Sequence, residues 1–280
     1  MPSLVLEGGS FRGAFSAGVM DALLDNEIMF PYCIGVSAGI SNCFSYVSKQ
    51  KERNIRVLEK YRNDKRYIGV KNFIKHRSLF GLDFIFDEIP NKLDLYDYDT
   101  FRAYEGKIIV GVSNILTGRA EYLDGKEIDK PCTMARATCA IPILFPIISI
   151  GENKYYDGGL CDPIPVQKAI DDGNEKHLII LTSPDGYRLG AERINKVASR
   201  LLKKKYPKIV DSFLTRHIKY NETLDLCERL ELEGKAVIIR PSKEECINGF
   251  EKDIKKIKKI YNHGYNVGIE NVEKIKKLFD

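Results

Sequence analysis

The serine in "GVSAG", the acid in "DGGLCDPIPV" and the glycine-rich stretch "EGGSFRGAF" are the residues of this chain whose types and spacing could do chemistry together. Ser37 sits inside G-x-S-x-G, between Gly35 and Gly39. Residues 32–36 before it are a short apolar run of strand type. After it, Ile40, Cys43, Phe44 and Val47 fall at i, i+3, i+4 and i+7, the spacing of one buried helix face. A serine on such a strand-to-helix turn has the context of a nucleophile elbow. Its Oγ lies beside a helix N-terminus, which stabilises negative charge, and Ala38 offers an N–H to an oxyanion. Read singly, Ser37 also suits a plain N-cap.

The glycine-rich stretch, residues 7–15, links the first apolar run to the next helical pattern, and its successive backbone N–H groups favour an anion. A dinucleotide site needs G-x-G-x-x-G and an acid at the end of the second strand. Here Ser10 stands between Gly8 and Gly13 where the middle glycine belongs, and the second strand ends in Gly35-Val36-Ser37. A P-loop needs G-K-[ST], which Arg12-Gly13-Ala14 does not supply. An oxyanion hole remains, with donors from Gly9 through Gly13. A preset donor of that kind is worth roughly 10²–10³ in rate. Because the two turns follow consecutive strands, adjacent parallel strands would bring both to the carboxyl edge of one sheet, where sites form.

A serine needs a group to take its proton. An α/β-hydrolase would use histidine in the order Ser, Asp or Glu, His, with several strands ahead of the elbow, whereas one strand precedes this serine. Of the four histidines, His177 opens a strand at the wrong end, and His76, His217 and His263 lie in lysine-rich helical surroundings. The other candidate is Asp157, which ends a short tyrosine-rich strand and is followed by Gly158 and Gly159. Two glycines after an acid permit close backbone approach. A carboxylate with an ordinary pKa of about 3.9 is a weak base for a hydroxyl. It serves if held in hydrogen-bonding range in a partly dry site. The plain alternative is an Asx turn. Asp162, before Pro163, is the spare carboxylate and reads as a turn former.

The elements that must position these groups are legible as short apolar runs at 4–8, 32–36, 107–113, 177–182 and 236–240, separated by helical stretches such as 13–26. Runs without alternation are what strands covered on both faces look like, and their alternation with helices predicts a mainly parallel sheet in a three-layer α/β/α sandwich. Residues 51–106 interrupt the alternation with aromatic, Asp- and Lys-rich sequence. They read either as a lid or groove wall over the strand ends or as helices covering the sheet edge. Residues 191–233 and 251–279 read as helical, and one domain over 1–280 is expected. With 44% hydrophobic residues, the 280-residue chain can bury a substantial core, and it holds no apolar run long enough to span a bilayer. Seven cysteines without C-x-x-C pairs argue against a disulfide framework and a zinc site, and favour the cytoplasm. A net charge of +5 is mild, and no recognition motif points to nucleic acid. Lysine clusters at 201–208 and 251–260 are read as solvated helix faces, the alternative being weak peripheral contact with an anionic membrane surface.

Taken in order, "EGGSFRG", "GVSAG", "RATCAIPILFP" (136–146) and "DGGLCDPIPV", all within residues 4–166, resemble the patatin-like acyl hydrolases. The resemblance implies a patatin-like fold, with Ser37 as nucleophile and Asp157 as base of a Ser–Asp dyad without histidine. It also implies an oxyanion region at Gly8, Gly9, Ser10, Phe11, Arg12 and Gly13, and an acyl site lined by 136–146. The expected activity is that of a phospholipase A or lysophospholipase on lipid or simpler acyl esters, with neither metal nor cofactor. A lipid-binding protein without turnover, or an acyltransferase using the same dyad, are the alternatives. One position departs from the family pattern: Ser10 stands where the turn usually has a third glycine.

Overall fold

The computed structural model describes residues 1–280. Eight strands form one mixed sheet: β1 (Pro2–Leu6), β2 (Tyr32–Val36), β3 (Lys107–Asn114), β4 (Arg119–Asp124), β5 (Ile148–Ile150), β6 (Asn153–Asp157), β7 (Lys176–Ile180) and β8 (Ala236–Ile239). The strand order is β5-β6-β3-β2-β1-β7-β8, with β4 on the far side of β3. The five parallel strands, β3-β2-β1-β7-β8, are the five apolar runs of the sequence. β4 and β5, which are short and half-exposed, gave no such run.

Eleven helices flank the sheet: α1 (Ala14–Asp25), α2 (Ser37–Val47), α3 (Arg53–Tyr61), α4 (Val70–His76), α5 (Tyr98–Ala103), α6 (Thr133–Thr138), α7 (Val166–Asp171), α8 (Arg193–Leu202), α9 (Val210–Leu232), α10 (Ile254–Glu270) and α11 (Val272–Lys276). A wide π-helical segment, Phe84–Leu93, lies between α4 and α5. Successive strand residues divide between two cores, as the period-2 geometry of a strand requires. Leu4, Leu6, Cys33, Leu178 and Ile180 join the larger core under α1, α2 and α10. Val5, Tyr32, Ile34, Ile179 and Leu181 face the smaller one with α7 and α9. Helical layers on both faces of the sheet make the α/β/α sandwich.

α1 and α10 cross with their backbones in contact. A Cβ added to Gly264 would lie 2.1 Å from the Phe15 carbonyl oxygen, and one added to Gly18 would lie 2.0 Å from that of Tyr261. Tyr261 also donates to Asp21 at 2.6 Å. The C-terminal helices are thus locked onto the helix that follows the glycine turn. None of the helices is long and apolar enough to cross a membrane.

The register around β3 matters most for the site. β2 pairs with residues 107–111, ending at Val36 opposite Gly111. On the same edge β6 takes over, antiparallel, with Asp157 opposite Val112. The two strands therefore point their last residues at each other, and whatever follows Val36 meets Asp157.

Candidate active site

Ser37 follows Val36 with φ 52°, the left-handed region that a non-glycine residue enters at a cost of about 1–3 kcal/mol. The turn is held by its backbone. The Ser37 N–H donates to Thr138 Oγ1 at 2.8 Å, and that hydroxyl donates to the Gly111 carbonyl at 2.6 Å. Close approach at two glycines makes the geometry possible. A Cβ on Gly39 would lie 2.4 Å from the Glu7 carbonyl oxygen, and one on Gly158 would lie 2.2 Å from that of Gly111. Gly35 likewise packs against Leu6.

Asp157 is buried at the end of β6. Its N–H donates to the Ala140 carbonyl at 2.9 Å, and the Ser113 hydroxyl donates to its carbonyl at 2.7 Å. The Gly159 N–H donates to its Oδ1 at 2.8 Å, so the Asx turn is present and serves to aim the carboxylate. Burial pushes the Asp157 carboxyl up to about 6, while the Ser37 hydroxyl, the Gly159 N–H and the Arg216 guanidinium each pull it down. A carboxylate tuned close to neutrality is a far better proton acceptor than an ordinary one.

The glycine turn lies against the serine, since a Cβ on Gly8 would sit 3.0 Å from Ser37 Cβ. Of the amides expected to face an oxyanion, two are committed elsewhere. Phe11 donates to the Gly249 carbonyl and Arg12 to that of Gly9, each at 3.0 Å, so neither offers its N–H to the site. The reason is the short 3₁₀ helix Ser10–Gly13, which turns the backbone away after Ser10. Gly13 lies inside that helix, and its missing Cβ makes room for Ala38. Gly8, Gly9 and Ser10 donate their amides to no protein acceptor, nor does Ala38 in the first turn of α2. Ser10 takes φ 51°, the conformation a glycine would favour there.

Two cavities meet at Ser37. One, of about 220 Å³, is apolar and runs beneath residues 53–96, with Phe44, Leu58, Phe80, Phe86, Ile89 and Phe145 in its walls. The other, of about 320 Å³, is polar and is lined by Asp157, Arg12, Asn195, Arg216 and Asn248. Ser10, Ser37 and Ile141 border both. The Arg12 side chain donates to Ser183 Oγ at 3.2 Å and has no carboxylate partner within 4 Å, while its buried Nε has no partner.

No histidine lines either cavity. His177 is buried at the opposite end of the strands, hydrogen-bonded to Ser3 at 2.8 Å, and burial lowers its pKa to about 4. Cys139, half-buried in the wall of the apolar cavity beside Ser37, has its thiol pushed by desolvation up to about 12. No three His, Cys, Asp or Glu side chains are grouped to hold a metal ion.

Four residues that sequence reasoning missed brace this arrangement. Glu7 accepts from the Thr182 N–H at 2.6 Å and from Tyr220 Oη at 2.8 Å, and Thr182 Oγ1 donates to the Gly8 carbonyl at 2.8 Å. Arg216 donates from Nε to the Gly159 carbonyl at 2.7 Å. An acid closing a buried strand, as in "LVLEG", was a signal for Glu7. Arg216, one cation among many on a polar helix, gave none.

Residues 4–170 match the patatin-like phospholipase family model, and residues 206–280 match a domain of unknown function, DUF6363. The chain is 26% identical over 194 residues to the uncharacterized protein YjjU of Escherichia coli (strain K12), covering 65% of this chain and 52% of that one. It is 27% identical over 191 residues to the probable lipid hydrolase 463L of Invertebrate iridescent virus 6, covering 62% and 65%. The matched region thus spans between half and two thirds of each relative's length. Among solved structures, VipD of Legionella pneumophila aligns with a TM-score of 0.48 at 13% identity, over 97% of this chain and 66% of that one. With a family model covering more than half of its residues, the chain belongs to the patatin-like phospholipase family.

Proposed function

We propose that the protein is a serine acyl-ester hydrolase acting on lipids, of the phospholipase A or lysophospholipase type. Ser37 Oγ attacks the ester carbonyl as Asp157 accepts its proton. The amides of Gly8, Gly9, Ser10 and Ala38 surround the tetrahedral oxyanion. Collapse expels the alcohol, which takes the proton from Asp157, and leaves an acyl group on Ser37. Water, deprotonated by Asp157, then attacks the acyl-enzyme and releases the carboxylic acid. The apolar cavity holds the acyl chain and the polar one the alcohol portion, so the scissile bond lies at their junction.

The observation that carries this reading is the head-on meeting of β2 and β6 on one edge of β3, with both cavities opening onto Ser37. A fluorophosphonate probe tests it. The expected result is stoichiometric labelling that vanishes in Ser37→Ala together with ester hydrolysis. Lipid binding without labelling would make the protein a carrier instead. Transfer to another alcohol would use the same acyl-enzyme, and products formed with added glycerol distinguish it from hydrolysis.

Substrate is proposed to arrive from an anionic lipid surface. Ile194, Val197 and Leu201 stand exposed at i, i+3 and i+7 of α8, flanked by Arg193, Lys196, Arg200 and Lys203–Lys205. Val70 and Ile74 stand exposed on α4 between Lys71, Lys75 and Arg77. Apolar side chains ringed by cations suit a head-group boundary. The compartment proposed is the cytoplasm, where seven free cysteines remain reduced.

A further inference from the structure

Residues 206–280 match a domain to which no function is attached, yet their contacts converge on the two turns that flank Ser37, the glycine turn and the Asp157 turn. We propose that this segment is part of the active site itself, with Arg216 as a positioning residue for the Asp157 turn and the loop at Gly249 as the anchor of the oxyanion turn. The proposal rests on the Ser37–Asp157 reading.

The first contact is at the acid. Arg216, on α9, donates from Nε to the Gly159 carbonyl at 2.7 Å and from Nη1 to Glu192 Oε2 at 2.9 Å. Gly159 is the residue whose N–H aims the Asp157 carboxylate, at 2.8 Å. Arg216 therefore holds the same residue from its carbonyl side, and places a cation behind the base. Glu192, which is 40% exposed, tempers that charge.

One turn further along α9, on the same face, Tyr220 donates to Glu7 at 2.8 Å. Glu7 directly precedes Gly8, so the same helix braces the start of the glycine turn. The third contact comes from the loop before α10. The Gly249 carbonyl accepts the Phe11 N–H at 3.0 Å, and the Gly249 backbone lies against Gly9 and Ser10. Engaging the Phe11 amide fixes the direction of the amides before it, which are the ones left for an oxyanion. Arg62 ties the roof to the same place. Its guanidinium lies 4.7 Å from the Phe11 ring centroid and donates to the Glu251 carbonyl at 3.3 Å. Asn248, Gly249 and Phe250 then complete the wall of the polar cavity beside Arg216 and Tyr220. A separate appended domain would have no reason to make all of these contacts.

A clamp of this kind acts through geometry and charge. An acid misplaced by about 1 Å loses on the order of 10²-fold in rate, and withdrawal of a nearby cation raises a carboxylate pKa. The groups acting on Asp157 are the Ser37 hydroxyl, the Cys139 thiol, the Gly159 N–H and Arg216, with Glu192 behind Arg216 and Glu7 and Arg12 lining the same cavity.

The test uses the full chain and a soluble short-chain ester over pH 5–9, with Ser37→Ala, Arg216→Gln, Arg216→Lys and Glu192→Gln beside wild type. Arg216→Gln is expected to lose about tenfold to hundredfold in kcat with KM little changed, and to move the acid limb of kcat/KM to higher pH. Arg216→Lys should recover part of the rate and return the limb toward its original position. Glu192→Gln, altering a half-exposed side chain, should move the limb to lower pH, and it supplies the readout should Arg216→Gln fail to fold. Wild-type kcat with an unmoved limb in folded Arg216→Gln, or an unmoved limb in Glu192→Gln, overturns the positioning role while Ser37→Ala remains inactive. Full activity in Ser37→Ala overturns the dyad, and this proposal with it.

Discussion

Asp157 stands in two environments at once, a dry one that disfavours its charge and a polar one that tolerates it. Burial dominates and sets its pKa at about 6. Two consequences follow from the sign. As a base it must be ionised, so kcat/KM should fall as pH drops through about 6, where an ordinary aspartate would hold activity down to about 4. In stability the sign is opposite. A folded pKa above the unfolded value favours the protonated form, a contribution present below about 4 and lost as pH rises through about 6. Asp157→Asn should therefore abolish hydrolysis while raising stability at pH 7 by on the order of 1–3 kcal/mol. Urea unfolding beside an ester assay checks both; unchanged hydrolysis would move the base to another group. Ser37 shows the same trade in the backbone, its left-handed φ being retained because the Thr138 and Gly111 hydrogen bonds over-determine the turn.

Among the elements, the meeting of β2 and β6 is what brings Ser37 and Asp157 to one place. Both strands are fixed by β3, so the serine and the acid sit on rigid supports and need little ordering when substrate binds. The crossing of α1 with α10 supports the third part, because α1 begins where the glycine turn ends. Gly264→Ala would set a Cβ 2.1 Å from the Phe15 carbonyl and force the helices apart. The expected loss is about 1–3 kcal/mol, read as a lower midpoint in thermal or urea unfolding. A midpoint equal to wild type would mean that the helices separate freely. How legible were these elements? The five parallel strands showed themselves as apolar runs because both of their faces are covered. β4 and β5 did not, since antiparallel edge strands bury little and carry no continuous apolar signal.

Across the whole molecule, residues 51–106 form the roof of the apolar cavity, and the C-terminal segment forms the wall of the polar one. A lipid would thus enter between two layers contributed by distant parts of the chain. The exposed stripes on α4 and α8 carry the prediction that belongs to this scale. Val197→Asp and Leu201→Asp, on the outer face of α8, should weaken binding to vesicles of anionic phospholipid by about tenfold each, from lost apolar burial and added repulsion. Hydrolysis of a soluble short ester should stay at wild type, and co-sedimentation beside that assay reads the two effects separately. Equal vesicle binding in wild type and both variants would show that α8 does not face the lipid.

The sequence by itself determined the candidate residues and their local settings. Ser37, Gly35 and Gly39 were readable because an elbow is a local object, made by a strand, a turn and a helix in consecutive residues. The same holds for the Asp157-Gly158-Gly159 turn, which residue order and family resemblance together marked. Only the tertiary structure decided which amides remain free and which cation stands behind the acid. Phe11 gives its N–H to Gly249 and Gly159 its carbonyl to Arg216, partners from the far end of the chain. No pattern of neighbours along the sequence encodes such a pairing. It arises when packed helices bring a loop and one side chain within hydrogen-bonding range, and a backbone donor pairs with whichever acceptor folding places beside it.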